Sequence, residues 1–579
     1  MYDEIYSLNF AYSFLLSTIF FIVNIIFCFN IYFKSSDNKK LSIGLYQPIL
    51  IFFLIFCFYS IILNLSILID FKSLTNLFFL TFLFKIFYII NNYKILLKKV
   101  NFKFVSESKT IIIFFLLFYL VAILPMSDAD SIVVFQNIPA TVFYEGFEKL
   151  IISKDIEFTV FSNTETLLIL SAILKSDNFG AQLNLISLIL LITLTYKNNK
   201  NFLLIIFSSP LIIYLISTQK LQLFFGVLYV LLFILIHKKL IQRKFELFIV
   251  ILLLTFYSSG KITYILFSLP LFLYLVKNNF KNFKEIILYS LLSLIIIYGP
   301  LLSIKQLYFN NVLAPFFDSL LGLNLESFNA FALSLRSTEG WLLDPSNMHL
   351  YLRPFVSLDP KMISSSFGLI FLLMLMDIKL QKKLKFIPVI IILLILLTGQ
   401  ILPRYYLEAF LILSFFYNYK IKIIKLIIYS QLIGVISLTL VFVYISYFEL
   451  NIFKNKKNYQ NNFSYSFFNA QQIKNDSLNG NILDFSLDRD SIYFEDNIYS
   501  LRYLNILNAY NNKQKHNLVN FIKANSIKYL IIYTYDQIPK CIKTEEIKDT
   551  IRKKTVRNFF HKTQKNKYKI IKIKDIKCS

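Results

Sequence analysis

The chain is 579 residues long, 56% hydrophobic and only 16% charged, against roughly 25% charged in an ordinary soluble domain. That much apolar surface excludes a soluble fold. The formal charge of +26 does not indicate nucleic acid, because all but eight of the 60 basic residues are Lys in a chain rich in Ile, Asn, Phe and Tyr, the bias of an AT-rich coding sequence.

The apolar residues gather in runs near the 20 or so needed to cross a hydrocarbon core of about 30 Å. Phe10 to Phe33, Ile111 to Leu124, Leu221 to Ile236 and Ile423 to Tyr447 are such runs, and lipid makes them helices because it offers the backbone no hydrogen-bond partners. The first run is longer than the roughly 7 to 15 residues of a signal-peptide core and lacks a small-x-small cleavage site, so it reads as a retained helix.

Seven short segments, at 34–40, 94–109, 197–200, 238–244, 277–284, 379–385 and 420–425, hold 24 Lys or Arg, whereas the longer alternate loops up to residue 404 hold 11. Short basic loops stay cytoplasmic, which places the N-terminus outside and threads the chain through about 14 spans. The predicted fold is an all-α polytopic membrane protein followed by a small α/β extracytoplasmic domain. Its predicted parts are N-terminal helices (1–107), a transmembrane core with outer loops 127–164 and 304–364 (108–450), and the C-terminal domain (451–579).

Along the outer face, the first candidates are Asp128 and Asp130 in "LPMSDADSIVVFQNIPATVFYEG", directly after a span. Mutual repulsion raises the pKa of one carboxylate of such a pair, which suits a general base; the plainer alternative is a cap on the following helix. Glu165 in "FSNTETLLILSAIL" stands at a helix start, where a carboxylate also fits an ordinary capping box. Lys220, flanked by Gln219 and Gln222, and Lys261 lie in outer turns where positive charge is sparse. Each alone fits a snorkelling lysine; together they suggest an anionic ligand.

Arginine is scarce, and its planar fork suits phosphate and carboxylate. Of four in the membrane region, Arg336, Arg353 and Arg404 fall outside and only Arg243 inside. Arg404 in "TGQILPRYYLEAFLIL" precedes Glu408 by four residues, the spacing of a helix-face ion pair. The loop before it carries the single Trp341 and His349, and a loop of that length is usually a lid or binding segment. No His/Cys cluster has zinc spacing, and with 12 Gly and no phosphate-cradling turn, nucleotide-driven pumping is disfavoured.

After Phe448 the sequence turns polar, with strand-like "NGNILDFSL" and "IKYLIIYTY" and a helical "KQKHNLVNFIKAN". The basic stretch from Thr550 reads as a solvated tail or as a segment lying on anionic headgroups. Cys28 and Cys57 fall in apolar spans, and Cys541 and Cys578 are the candidates for a disulfide.

In placement and order these features resemble the GT-C superfamily of polytopic glycosyltransferases, of the protein mannosyltransferase and aminoarabinose transferase type. The resemblance covers roughly residues 110 to 450: "SDADS" followed by "NIPATVFYEG", Glu165, "STQKLQ", Lys261, "YFNNVLAPFF" and "PRYYLEAF". It implies a polyprenyl-phosphate-linked sugar donor, a glycan, lipid or protein acceptor, and transfer on the extracytoplasmic side of the inner membrane. Asp128 or Asp130 would be the base. Arg404, Lys220 and Lys261 would hold the donor phosphate, with Glu165, Glu408, Arg336, Arg353 and His349 in support, and a Mg²⁺ or Mn²⁺ ion held by Asp128 and Asp130 would share the charge. Two departures stand out: Val134 and Phe135 occupy the place of a Tyr-His pair, and three spans precede the loop rather than one. An O-antigen polymerase or ligase, a lipid or saccharide transporter and an inactive assembly relative are the competing classes.

Overall fold

The computed structural model describes residues 9–36, 44–69, 71–99, 109–128, 131–147, 161–196, 199–314, 352–356, 366–376, 382–397, 402–417, 422–486, 497–500, 514–533, 535, 538–555 and 563–577. Helices dominate, with a small sheet near the C-terminus. Helices α1 (Phe10–Ser36), α2 (Gln47–Ile69) and α3 (Phe71–Lys99) pack on one another through aromatic rings, with Phe20 stacked on Phe78 and Phe82 and set edge-on to Phe56. Helix α4 (Lys109–Ala122) leads into the segment that holds α5 (Asn137–Tyr144).

The core continues through α6 (Asn163–Ile173), α7 (Phe179–Thr195), α8 (Lys200–Phe207), α9 (Pro210–Ile216) and α10 (Gln222–His237). It is completed by α11 (Lys244–Ser259), α12 (Ile262–Asn278), α13 (Phe283–Phe309), α14 (Leu369–Met376), α15 (Lys382–Leu397), α16 (Leu407–Phe416) and α17 (Lys422–Tyr444). Helix α10 is buried all round from Gln222 to Ile236 and forms the axis of the bundle. Helices α3 and α13 instead turn Leu80, Phe84, Phe87, Leu291 and Ile295 outward, as a lipid-facing surface requires.

Among the described residues, four segments are long and apolar enough to cross a membrane: Phe10–Lys34, Gly44–Ile69, Phe280–Phe309 and Lys422–Glu449. That is fewer than the loop charges predict. One reason is that apolar stretches are divided: between α8 and α9, Ser208, Ser209 and Pro210 end one helix and start another, because proline lacks the N–H needed mid-helix and suits the first turn. Helices α4, α7, α10 and α12 are apolar but shorter.

Beyond α17, helices α18 (Lys456–Phe463) and α19 (Tyr465–Asp476) precede β1 (Asn481–Asp484), β2 (Ile498–Ser500), α20 (Gln514–Ala524), β3 (Ile527–Ile532), β4 (Ile542–Thr555) and β5 (Thr563–Ile576). The sheet order is β2-β1-β3-β5-β4, with β1 parallel to β2 and β3, and β5 antiparallel to β3 and β4. Strands and helix stand where the sequence patterns place them. The basic stretch after Thr550 is a correction: its described residues belong to β4 and β5, paired from Ile542–Ile576 to Thr555–Thr563, and the adjacent Ile570 and Ile571 of β5 are both fully buried, one on each face of the sheet, in two separate apolar clusters. Cys541 is disulfide-bonded, and the Lys577 amide donates to its carbonyl at 3.0 Å. Cys28 and Cys57 are buried free thiols, and Cys578 lies outside the described residues.

Candidate functional site

Asp128 follows the end of α4, and its Oδ2 accepts from the Ser131 amide at 3.1 Å, so the expected capping role is present. The same oxygen lies 3.1 Å from Lys220 Nζ, and both side chains are almost completely buried. The other oxygen, Oδ1, is buried and has no hydrogen-bond partner among the described residues. A cap alone does not need a buried cation. Removing two charges from water is costly and is compensated only by close pairing, so Asp128 and Lys220 depend on each other. Asp130 lies outside the described residues.

Lys220 is held by a polar scaffold beneath it. Asn184 on α7 donates to the carbonyls of Leu215 (3.1 Å) and Lys220 (2.7 Å) and accepts from the Phe224 amide (2.9 Å), fixing the turn between α9 and α10. Gln219 donates through Nε2 to the Asp177 carbonyl at 2.7 Å, accepts from the Gly180 amide at 2.5 Å, and donates its own amide to Ser131 Oγ at 2.9 Å. Lys220 Nζ also donates to the Tyr214 hydroxyl at 2.7 Å. The close approach explains Gly180: a Cβ there would lie 2.2 Å from Gln219 Oε1 and 2.7 Å from the Gln219 carbonyl oxygen. Gly180→Ala is expected to cost about 1–3 kcal/mol through overpacking, read as a lower unfolding temperature in detergent, whereas Gly299→Ala, where nothing lies within 4 Å of the added methyl, should leave that temperature nearly unchanged.

A second cluster forms around Tyr405. Lys261 hydrogen-bonds its hydroxyl at 3.3 Å, and Lys261 and Arg404 both lie over its ring, at 4.7 and 5.8 Å. Burial raises the Tyr405 phenol, but Lys261 and Arg404 outweigh burial and hold it below its ordinary value. Glu408 accepts from the Tyr257 hydroxyl at 2.9 Å, and Lys261 acts electrostatically on both Glu408 and Glu165. Glu165 completes the predicted capping box, accepting from the Ser162 amide at 2.8 Å. Ser162 and Thr164 in turn donate to the Gly260 carbonyl at 2.8 and 2.5 Å.

These bonds place the two clusters at one end of the bundle. Asp128 leads into α5, which packs on α6; α6 binds Gly260, next to Lys261; and the Phe225 ring, one turn beyond Lys220, covers Gly260. The region after α17 returns to the same end. Lys456 on α18 pairs with the buried Asp177 at 2.7 Å, and Tyr459 lies beside Ser127, next to Asp128.

Of the predicted site residues, Asp128 joins Lys220, while Lys261 and Arg404 meet around Tyr405 with Glu165 and Glu408 nearby. Arg353 is half-buried in a turn whose Phe355 stacks on Phe371, and it makes no ion pair among the described residues. Arg336 and His349 lie outside them. Sequence reasoning missed Asp177, Tyr405, Lys456 and Tyr459. Tyr405 stood inside a quoted motif, and Asp177 interrupts an apolar stretch with "KSDNFG", but α18 carried no signal of its docking.

A Mg²⁺ or Mn²⁺ ion on Asp128 and Asp130 depends on Asp130, which lies outside the described residues. Such ions take several oxygen ligands, whereas Asp128 already faces an ammonium group at 3.1 Å and no group of three His, Cys, Asp or Glu stands together among the described residues. Compared with known proteins, the chain matches no family model, no curated protein and no solved structure.

Proposed function

We propose that the protein is a membrane glycosyltransferase that moves a sugar from a polyprenyl-phosphate donor to an acceptor hydroxyl on the extracytoplasmic side of the inner membrane. The observation that carries this reading is the buried Asp128–Lys220 pair with Oδ1 of Asp128 left without a partner among the described residues. A carboxylate oxygen so placed is ready to accept a proton from a bound hydroxyl. The freed oxygen would attack the anomeric carbon, and the bond from that carbon to the phosphate oxygen would break. The departing polyprenyl phosphate would take up the electron pair against Lys261 and Arg404, already gathered at Tyr405. No step requires a metal ion.

The excess of Lys and Arg in seven alternate short loops supports the orientation. Docking of α18 beside Ser127, and the bonded Cys541 in the domain that follows, agree with an oxidising compartment on the same side. An acceptor and a lipid-borne donor would meet at that surface.

The test is release of undecaprenyl phosphate from a panel of undecaprenyl-phosphate sugars by the purified protein in lipid nanodiscs. Asp128→Asn and Asp130→Asn, made separately, are expected to show which carboxylate is the base, by a loss of about 10²–10⁴-fold in kcat. Undiminished turnover in both variants would remove the proposed mechanism.

A further inference from the structure

Away from this site, α1, α2 and α3 enclose an apolar trough of about 450 Å³ that opens outward from the helices. Phe27, Leu54, Phe58 and Phe84 line it, and Tyr59 and Lys85 lie at its polar end. The size and the mix of mostly apolar walls with a few convergent polar groups are those of small-molecule sites. Phe58 and Phe84 are more than half exposed, so lipid chains have direct access.

Lys85 stands at the fifteenth of the 29 residues of α3, midway along the helix, and is almost fully buried. Its Nζ donates to Asn24 Oδ1 at 2.7 Å and to the Tyr59 hydroxyl at 2.5 Å, and lies over the Tyr59 ring at 4.4 Å. An ammonium has three N–H donors, and these bonds use two. No Asp or Glu occurs anywhere in α1, α2 or α3. A lysine so buried is costly and ordinarily pairs with an acid or serves a function. Here the three helices supply neutral oxygens and aromatic faces, but no counter-charge.

We propose that the trough binds a long-chain fatty acid, with its carboxylate on Lys85 and its chain along the Phe27, Phe58 and Phe84 wall. Charge complementarity calls for an anion, and the walls call for a hydrocarbon chain. A carboxylate is favoured over a phosphate monoester because a second negative charge beside a lone ammonium would remain uncompensated in hydrocarbon. The carboxylic acid can also enter the bilayer interior neutral and share its proton with the lysine. This site is independent of the proposed glycosyl transfer.

The test uses the full chain in nanodiscs, a diazirine-bearing fatty acid as photolabel, and peptide mapping by mass spectrometry. Label is expected on α1–α3 peptides and is expected to be displaced by oleate. Lys85→Met should weaken labelling by about tenfold or more, the loss of one charge-assisted hydrogen bond, while Lys85→Arg should retain most of it. Leu54→Trp, which fills the trough and leaves Lys85 in place, should also lose the label at an unchanged unfolding temperature. Equal labelling of Lys85→Met and wild type, retained labelling of Leu54→Trp, or equal displacement by oleyl alcohol would overturn the assignment. Stronger displacement by undecaprenyl phosphate than by oleate would overturn it in favour of an isoprenoid phosphate.

Discussion

Lys220→Met is expected to destabilise the protein by about 3–5 kcal/mol, because it leaves the buried Asp128 carboxylate without its counter-charge. Asp128→Asn alone leaves Lys220 buried without the anion and should also destabilise, but less, since Lys220 keeps the Tyr214 hydroxyl and an amide still accepts from the Ser131 amide. Combining the two removes both charges. The double variant should therefore recover much of what Lys220→Met loses, and the cycle should give a coupling of about 0.5–3 kcal/mol. Thermal unfolding in one detergent, with all four proteins at one concentration, reads these differences. Additive losses would mean that Asp128 and Lys220 are neighbours rather than partners. The proposed glycosyl transfer would separate stability from chemistry: the double variant should stay inactive even where its stability returns, because neither residue then carries its charge.

The parts of this fold that were legible in the sequence are those written in local periodicity and loop charge. Apolar runs gave the helices, "NGNILDFSL" and "IKYLIIYTY" gave β1 and β3, and Ser162 three residues before Glu165 gave a cap that forms as expected, whereas the basic stretch that forms β5 reads as a tail. The candidate phosphate-binding groups were legible for a different reason. Positive charge was sparse on the outer side, so Lys220, Lys261 and Arg404 stood out. Their pairing was not legible, because it depends on long-range packing. Lys220 could have joined Arg404; instead the Asn184 scaffold turns it toward Asp128, 92 positions earlier, and Tyr405 gathers Lys261 and Arg404. The i,i+4 spacing drew attention to Glu408 as an arginine partner, whereas Glu408 accepts from Tyr257, a tyrosine 151 residues away that no local pattern marks. Helix α18 was least visible of all, since "KKNYQNNF" reads as solvated surface until Lys456 meets Asp177.

Arg552→Met is the second large effect expected, and it lies outside the bundle. Arg552 on β4 is fully buried; its Nε donates to Asp484 Oδ2 and its Nη2 to Asp476 Oδ2, each at 3.0 Å, and Nη1 donates to Thr550 Oγ1 at 2.6 Å. In the sheet, β3 and β5 separate β4 from β1, so Arg552 ties Asp484, at the end of β1, to a strand that β1 does not pair with. Methionine would fill much of the same space and leave Asp484 facing only Ser486 at 2.8 and 2.5 Å. An uncompensated buried charge of this kind costs about 3–5 kcal/mol. Adding Asp484→Asn should restore part of that loss, while Asp476 retains Lys548 at 3.3 Å. Limited proteolysis of the full chain should then cut within β4 and β5 in Arg552→Met well below the unfolding temperature of the membrane helices; equal resistance in variant and wild type would refute the role given to Arg552. The consequence reaches the bundle, because Lys553, the next residue, binds the Asn461 carbonyl on α18 and exchanges two hydrogen bonds with Asn469 on α19. Helix α18 is also the element that pairs with Asp177 and lies beside Ser127, next to Asp128. Loosening β4 should therefore increase amide exchange at residues 125–128 as well, linking the C-terminal domain to the acidic loop through α18.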